Sequence, residues 1–273
     1  LVANTLRAVF GQKFVAWLED TAYGVADWFN LKTKGDAKPE TPWAVPTTTA
    51  PLPAPITATA SASATVPSEP PFTRPNVSYM HKFVSTPGEG TWLPLADPRQ
   101  PNDRVRLLKT FVHPDKNRTW AIVVVVAIDL EHVDLRAMAG SSEPEARTKE
   151  GKAYKRPAIV PKSEHDILIA AFNGGYKATH GFYGMKIDGV TLAPGRALAC
   201  TISKYKSGDY SVRLWKDVKD KTDDMVWFRQ TPVCMYDAGK PHPGLSMPKL
   251  GWGASVVSGT TVIRRSAMGI SQD

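Results

Sequence analysis

The sequence predicts an α+β chain: a strand-rich mixed-sheet domain with few helices, preceded by a separate N-terminal helix and a proline-rich linker. Three observations carry this. Apolar residues near the start recur every three or four positions. Residues 37–75 then turn to Pro, Ala, Thr and Ser. Beyond them, short β-branched apolar runs alternate with Gly, Pro and polar turn residues, and helical periods are scarce.

The first element spans residues 5–30, within an N-terminal region of residues 1–36. Leu6, Phe10, Phe14, Trp17, Thr21, Val25 and Trp28 form one stripe, and Asn4 or Thr5 can cap the start. Arg7, Lys13, Glu19 and Asp27 are available for the polar face. So heavy an aromatic stripe, with Phe29 beside it, calls for a packing partner. The other reading is a helix lying at a membrane interface, which Glu19, Asp20 and Asp27 disfavour.

The linker of residues 37–75 carries no charge between Thr41 and Ser68 and no glycine between Pro39 and Pro75. Such a chain cannot bury enough surface to fold. It is expected to be extended, polyproline-like and poor in contacts with the rest.

Residues 76–273 are expected to form the globular domain. Residues 120–129 (WAIVVVVAID) suit a strand buried on both faces. Residues 133–139 alternate as a second strand, and residues 166–172 (DILIAAF) form another buried run. Residues 210–215, 225–228, 233–236 and 261–270 complete the set, with a short helix near Ser163. The strand spacing fits a mixed or antiparallel sheet.

Composition narrows the function. The chain has 273 residues, 42% of them hydrophobic, and a formal charge of +8. Its bases interleave with acids, as in residues 216–221 (KDVKDK), which argues against a nucleic-acid groove. No run of about 18 apolar residues is present, so no membrane span is expected. The six histidines are dispersed and there are two cysteines, so no metal site or cofactor is expected. There is no Gly-x-Ser-x-Gly elbow and no nucleotide-type glycine loop. The chain opens at Leu1 and stops at Asp273 directly after an apolar stretch; both ends read as cut, with an export signal able to lie upstream.

The most unusual stretch is Asn173-Gly174-Gly175-Tyr176, followed by residues 180–184 (HGFYG). Glycines there allow positive φ and close approach of a ligand. An Asn at a strand end offers both a donor and an acceptor. A plain Asn-Gly turn is the competing reading. The stretch has company, in order: Met185 to Gly189, Arg229-Gln230-Thr231-Pro232, Trp252-Gly253, and Arg264-Arg265-Ser266-Ala267-Met268-Gly269-Ile270.

Over residues 104–273 this ordered set resembles the phosphodiester glycosidase family, whose members cleave the bond between an anomeric carbon and a phosphate oxygen. Bacterial relatives are exported and linked to exopolysaccharides. The resemblance implies an extracytoplasmic hydrolase acting on a carbohydrate or sugar-phosphate substrate. It implies that Asn173 and Arg265 reach the pocket, with Gly174, Gly175, Tyr176, Gly184 and Arg229 lining it. A guanidinium fork suits a phosphodiester oxyanion. Arg265 interrupts an apolar strand, where a charge needs a partner. Asp188 and His180 are candidate proton-transfer groups, although Asp188-Gly189 reads equally as a turn. The family's later Asp-Gly-Gly-Gly-Ser-type segment is not part of this sequence. The alternative function is therefore a non-catalytic binding module for an anionic cell-surface polysaccharide. Cys200 and Cys234 lie in two apolar segments; in an exported protein they are expected to pair, the alternative being two buried free thiols.

Overall fold

The computed structural model describes residues 2–35, 37–45, 69–178, 181–246, 262 and 265–271. The chain divides into two compact units, residues 1–27 with 136–273, and residues 28–135. The fold is strand-rich α+β, as expected. Every strand pairing among the described residues is antiparallel.

Helix α1 (Val2–Lys34) is interrupted at Gly11, whose φ and ψ are 80° and 165°. Lys32 and Lys34 occupy its last turn, where a cation meets the negative end of the helix dipole. Val15 is buried, but Phe10, Phe14, Trp17, Trp28 and Phe29 are exposed. Among the described residues the expected packing partner for the stripe is thus not found. The rings instead contact one another, Phe10 to Phe14 at 5.0 Å and Phe14 to Trp17 at 5.9 Å. No described helix is long and apolar enough to cross a membrane.

In the unit of residues 28–135, β1 (Leu93–Pro94), β2 (Leu107–Val112) and β3 (Val123–Ile128) form a sheet in the order β1-β2-β3. Central β2 supplies the core through Leu107, Leu108, Phe111 and Val112. Just beyond it, His113 is fully buried against Glu89. One Glu89 oxygen accepts from the His113 amide at 2.8 Å, and the other faces Nδ1 at 2.9 Å and the Thr86 amide at 3.3 Å. A carboxylate acceptor fixes the proton on Nδ1. The imidazole Nε2 has no hydrogen-bond partner among the described residues.

Two expectations are corrected here. The run at 120–129 is a strand, but Val123 to Val126 are 36–54% exposed, because β3 is an edge of a three-stranded sheet. The described ends of the linker, 37–45 and 69–75, lack helix and strand as expected, yet they are not poor in contacts. Trp43 stands edge-on to Phe111 at 5.2 Å with Lys109 over its ring. Ala37 O accepts from the Thr119 hydroxyl, Pro75 O accepts from Trp92 Nε1, and Glu69 pairs with Arg104 at 2.7 Å. Residues 46–68 lie outside the described residues.

The other unit is built on a five-stranded sheet. Its strands are β4 (Met185–Ile187), β5 (Val190–Ala193), β6 (Cys200–Tyr205), β7 (Tyr210–Leu214) and β8 (Met225–Thr231), in the order β5-β4-β8-β6-β7. Helix α2 (Lys149–Ala153) is capped by Thr148, whose hydroxyl accepts from the Gly151 amide. Met185, Ile187 and Leu192 pack with Ala139, while Val218, Met225 and Phe228 form a second cluster with Trp215. A small hairpin, β9 (Tyr236–Asp237) and β10 (Lys240–Pro241), follows. The expected strand at 233–236 is thus confined to its last residue.

Three expected strands are not found among the described residues. Residues 133–139 are irregular, although Ala139 is buried against the sheet. Residues 166–172 are irregular, with Ile167 and Phe172 exposed. Here local turns take the backbone: the Ile167 and Leu168 amides both donate to Glu164 O. At 261–270 the described residues, 262 and 265–270, are irregular and exposed, and the others lie outside the described residues.

The disulfide between Cys200 and Cys234 is present, with a Cα separation of 4.6 Å. Cys200 pairs with Thr231 across the β6–β8 ladder, which brings the start of β6 beside the chain leaving β8. Closing a loop of this length restricts the unfolded chain by about 3–4 kcal/mol. The Cys200→Ser/Cys234→Ser variant is expected to lose that much in urea unfolding; an unchanged midpoint would mean the bond contributes nothing. Glu89→Ala strands three buried donors, so it should cost more than about 3 kcal/mol by the same measurement. Glu89→Gln, which keeps an acceptor, should cost less.

Candidate functional site

Strand β8 lies between β4 and β6, and it carries Arg229 opposite Met185 and Ile202. Arg229 is only 7% exposed. Its guanidinium faces backbone oxygens of the Asn-Gly-Gly loop, which is described over residues 173–178 and 181–184. Nη1 donates to Tyr183 O at 2.8 Å and Gly184 O at 3.2 Å, and Nη2 donates to Tyr176 O at 2.5 Å. Burial pushes this guanidinium down to about 10, against the opposing pull of Glu143, so it stays charged at neutral pH.

The glycine of the motif follows from this contact. Gly175 has φ +104°, and a Cβ there would stand 2.7 Å from Arg229 Nε and 3.0 Å from Cζ. What approaches the backbone closely at this point is the protein's own guanidinium. Gly184 is similarly enclosed: a Cβ would lie 2.7 Å from Pro194 O.

Two further side chains hold the loop. Glu143 Oε2 accepts from the Ala178 amide at 2.7 Å. Gln230 Oε1 accepts from the amides of Gly184 at 3.0 Å and Arg196 at 2.8 Å, while its Nε2 donates to the Thr201 hydroxyl at 3.0 Å. Gln230 is fully buried, so this amide is saturated where an unpaired one would be costly. Arg196 Nη1 donates to Gly181 O. The rings of Tyr176 and Tyr183 lie 6.1 Å apart, and burial raises the Tyr183 phenol.

Of the residues singled out in the sequence, Gly175, Tyr176, Gly184 and Arg229 are brought into direct contact. Asn173 and Gly174 are exposed at the start of the loop, and the Asn173 amide makes no hydrogen bond among the described residues. His180 lies outside the described residues. Asp188 sits elsewhere, with Gly189 in the two-residue turn between β4 and β5, at φ 50° and 77°. This is the turn reading of Asp-Gly. Its Oδ2 accepts from the Tyr154 hydroxyl at 2.6 Å, and that bond pushes the phenol up to about 12. Arg265 is in exposed, irregular chain and not in a buried strand. An exposed guanidinium needs no buried partner, so the argument from a costly charge does not apply to it.

Sequence reasoning missed Glu143 and Gln230 as loop holders. Glu143 carried a signal, since it falls in the turn-forming Ala-Gly-Ser-Ser-Glu-Pro stretch of residues 139–144. Gln230 carried one only as the neighbour of Arg229. In the other unit, Asp129, Glu131 and His132 come within ligand distance of one another. Yet His132 Nδ1 faces Asp129 at 2.9 Å, Nε2 faces Glu69 at 3.0 Å, and Arg104 stands 3.8 Å from Asp129. Both ring nitrogens are engaged and a cation is already present, so the group reads as an ion-pair network.

Arg229→Met removes the donor from three loop carbonyls while retaining apolar bulk. A loss of about 2–4 kcal/mol is expected in denaturant unfolding, with faster amide exchange at Ala178 and Gly184. Unchanged exchange at both amides would show that Arg229 does not hold the loop. Gly175→Ala should produce the same exchange signature without removing any donor.

No family model matches this chain, and no curated protein or solved structure matches it.

Proposed function

We propose that the chain acts on a glycosyl phosphodiester, hydrolysing the bond between an anomeric carbon and a phosphate oxygen in an extracytoplasmic glycan. The observation that carries this reading is the Asn-Gly-Gly-Tyr loop. It begins with an exposed Asn173 whose amide has no partner among the described residues, directly before a backbone fixed by Arg229. A fixed backbone with an uncommitted amide at its mouth suits the positioning of a sugar hydroxyl or phosphate oxygen. A phosphate leaving group is weakly basic, so the reaction relies less on acid assistance than on stabilising charge at the departing oxygens. The ordered motifs read in the sequence, and a disulfide compatible with an oxidising compartment, support the same reading.

A second reading, a binding module for an anionic polysaccharide, is favoured by Asp188. Its carboxylate is engaged with Tyr154, so it supplies no evident catalytic acid beside the loop.

A synthetic methyl glycosyl-phosphodiester separates the two. Hydrolysis is expected with the purified chain, and Asn173→Ala should lower kcat/KM by about 100-fold or more with unchanged thermal unfolding. Saturable binding of the diester without release of sugar would favour the binding module.

A further inference from the structure

Arg229 commits its terminal nitrogens to loop carbonyls. A ligand anion at this loop therefore needs other cations, and two arginines are held against its aromatic rings. Arg147 Cζ lies 3.6 Å from the centre of the Phe182 ring, and Arg196 Cζ lies 5.8 Å from the centre of the Tyr183 ring. Both arginines are exposed, and among the described residues neither has a carboxylate within ion-pair distance.

Their positions are built rather than incidental. The Arg147 amide donates to Leu192 O at 2.7 Å, fixing its backbone to β5. The Arg196 amide is held by buried Gln230, and its side chain donates to Gly181 O. Stacking on a ring leaves the edge of a guanidinium, where its N–H donors lie, open to an oxyanion. Tyr176, 6.1 Å from Tyr183, adds a second phenol beside the same loop.

We propose that Arg147 and Arg196 form an anion grip for the phosphate of a sugar phosphate, with the aromatic rings of the loop as the platform for the sugar. The substrate class rests on the reading under Proposed function; the grip itself is tested by binding alone. The shared chemistry is a phosphate oxyanion, whether free or carried by a pyranose.

The test is a titration of the full chain, isotope-labelled for NMR, with α-D-glucose 1-phosphate, inorganic phosphate and D-glucose in separate arms. Glucose 1-phosphate should bind saturably and shift the amides of Tyr176, Gly181, Phe182 and Tyr183. Phosphate should bind more weakly, and glucose weakest. Arg147→Gln should weaken glucose 1-phosphate binding about tenfold, the usual scale for one charge-assisted contact. The Arg147 side chain stacks on Phe182 but makes no hydrogen bond to the loop backbone among the described residues, so unchanged thermal unfolding of this variant separates loss of the anion contact from loss of the fold. Arg196→Lys keeps the charge but loses the fork, and should weaken binding several-fold. Wild-type affinity in Arg147→Gln, no shifts in the wild-type loop, or phosphate binding as tightly as the sugar phosphate would each overturn the proposal. Binding that follows this pattern without hydrolysis would instead sink only the catalytic reading.

Discussion

A buried guanidinium with no carboxylate against it among the described residues is the constraint on which this unit depends. Arg229 is placed by the β8 ladder, and its charge is held by three carbonyl dipoles with Glu143 at longer range. Carbonyls suffice for a fork only when several converge on it, since each carries a partial charge. The loop supplies that convergence by folding back on itself, so that residues 176, 183 and 184 present oxygens to one side chain. The dependence is mutual. Among its described residues the loop has no ladder of its own, and the charge is buried.

Much of the fold was legible in the residues, but burial was not. The apolar run at 120–129 named a strand through its β-branched composition, and β3 forms there. Whether such a strand is central or at an edge depends on what pairs with it, which periodicity does not encode. The run at 166–172 shows the stronger failure. Its composition favours a strand, yet the turn at residues 161–168 takes its first amides, and local hydrogen bonds displaced the ladder. The clean alternation of 210–214 succeeded because β7 is the second arm of a hairpin with β6, where the local connection fixes the register.

The same distinction applies to the site. Gly175 and Gly184 were conspicuous as glycines near an Asn, and a glycine signals close approach without saying of what. Here the approaching group at Gly175 is a side chain more than fifty residues away in sequence. Arg229 was visible only as part of an Arg-Gln-Thr-Pro string. Its neighbour Gln230 gave no signal of its own, although it faces the loop as squarely. Consecutive residues on a strand point to opposite faces; that both Arg229 and Gln230 serve the loop means the loop reaches both faces near the end of β8. Linker composition misled differently. A proline-rich segment cannot make a core, but single residues such as Trp43 and Glu69 can still dock on one.

Hydrogen bonds from and to side chains, charged and neutral, therefore hold the loop, and this determines where freedom remains. From Gly175 onward the described backbone is gripped by Arg229, Glu143, Gln230 and Arg196. Before it, residues 166–172 are irregular and exposed. Asn173 and Gly174 stand at the junction. A side chain at such a boundary has one end fixed by its neighbours and no competing partner among the described residues. It can meet a ligand without first breaking an internal hydrogen bond, and much of its ordering cost is already met by the clamp at Tyr176, three residues on. An Asn placed within the gripped segment would have lost that freedom to a backbone partner. One placed earlier would have lost the fixed position. The junction supplies both, which is the physical ground on which Asn173 is proposed as a ligand contact.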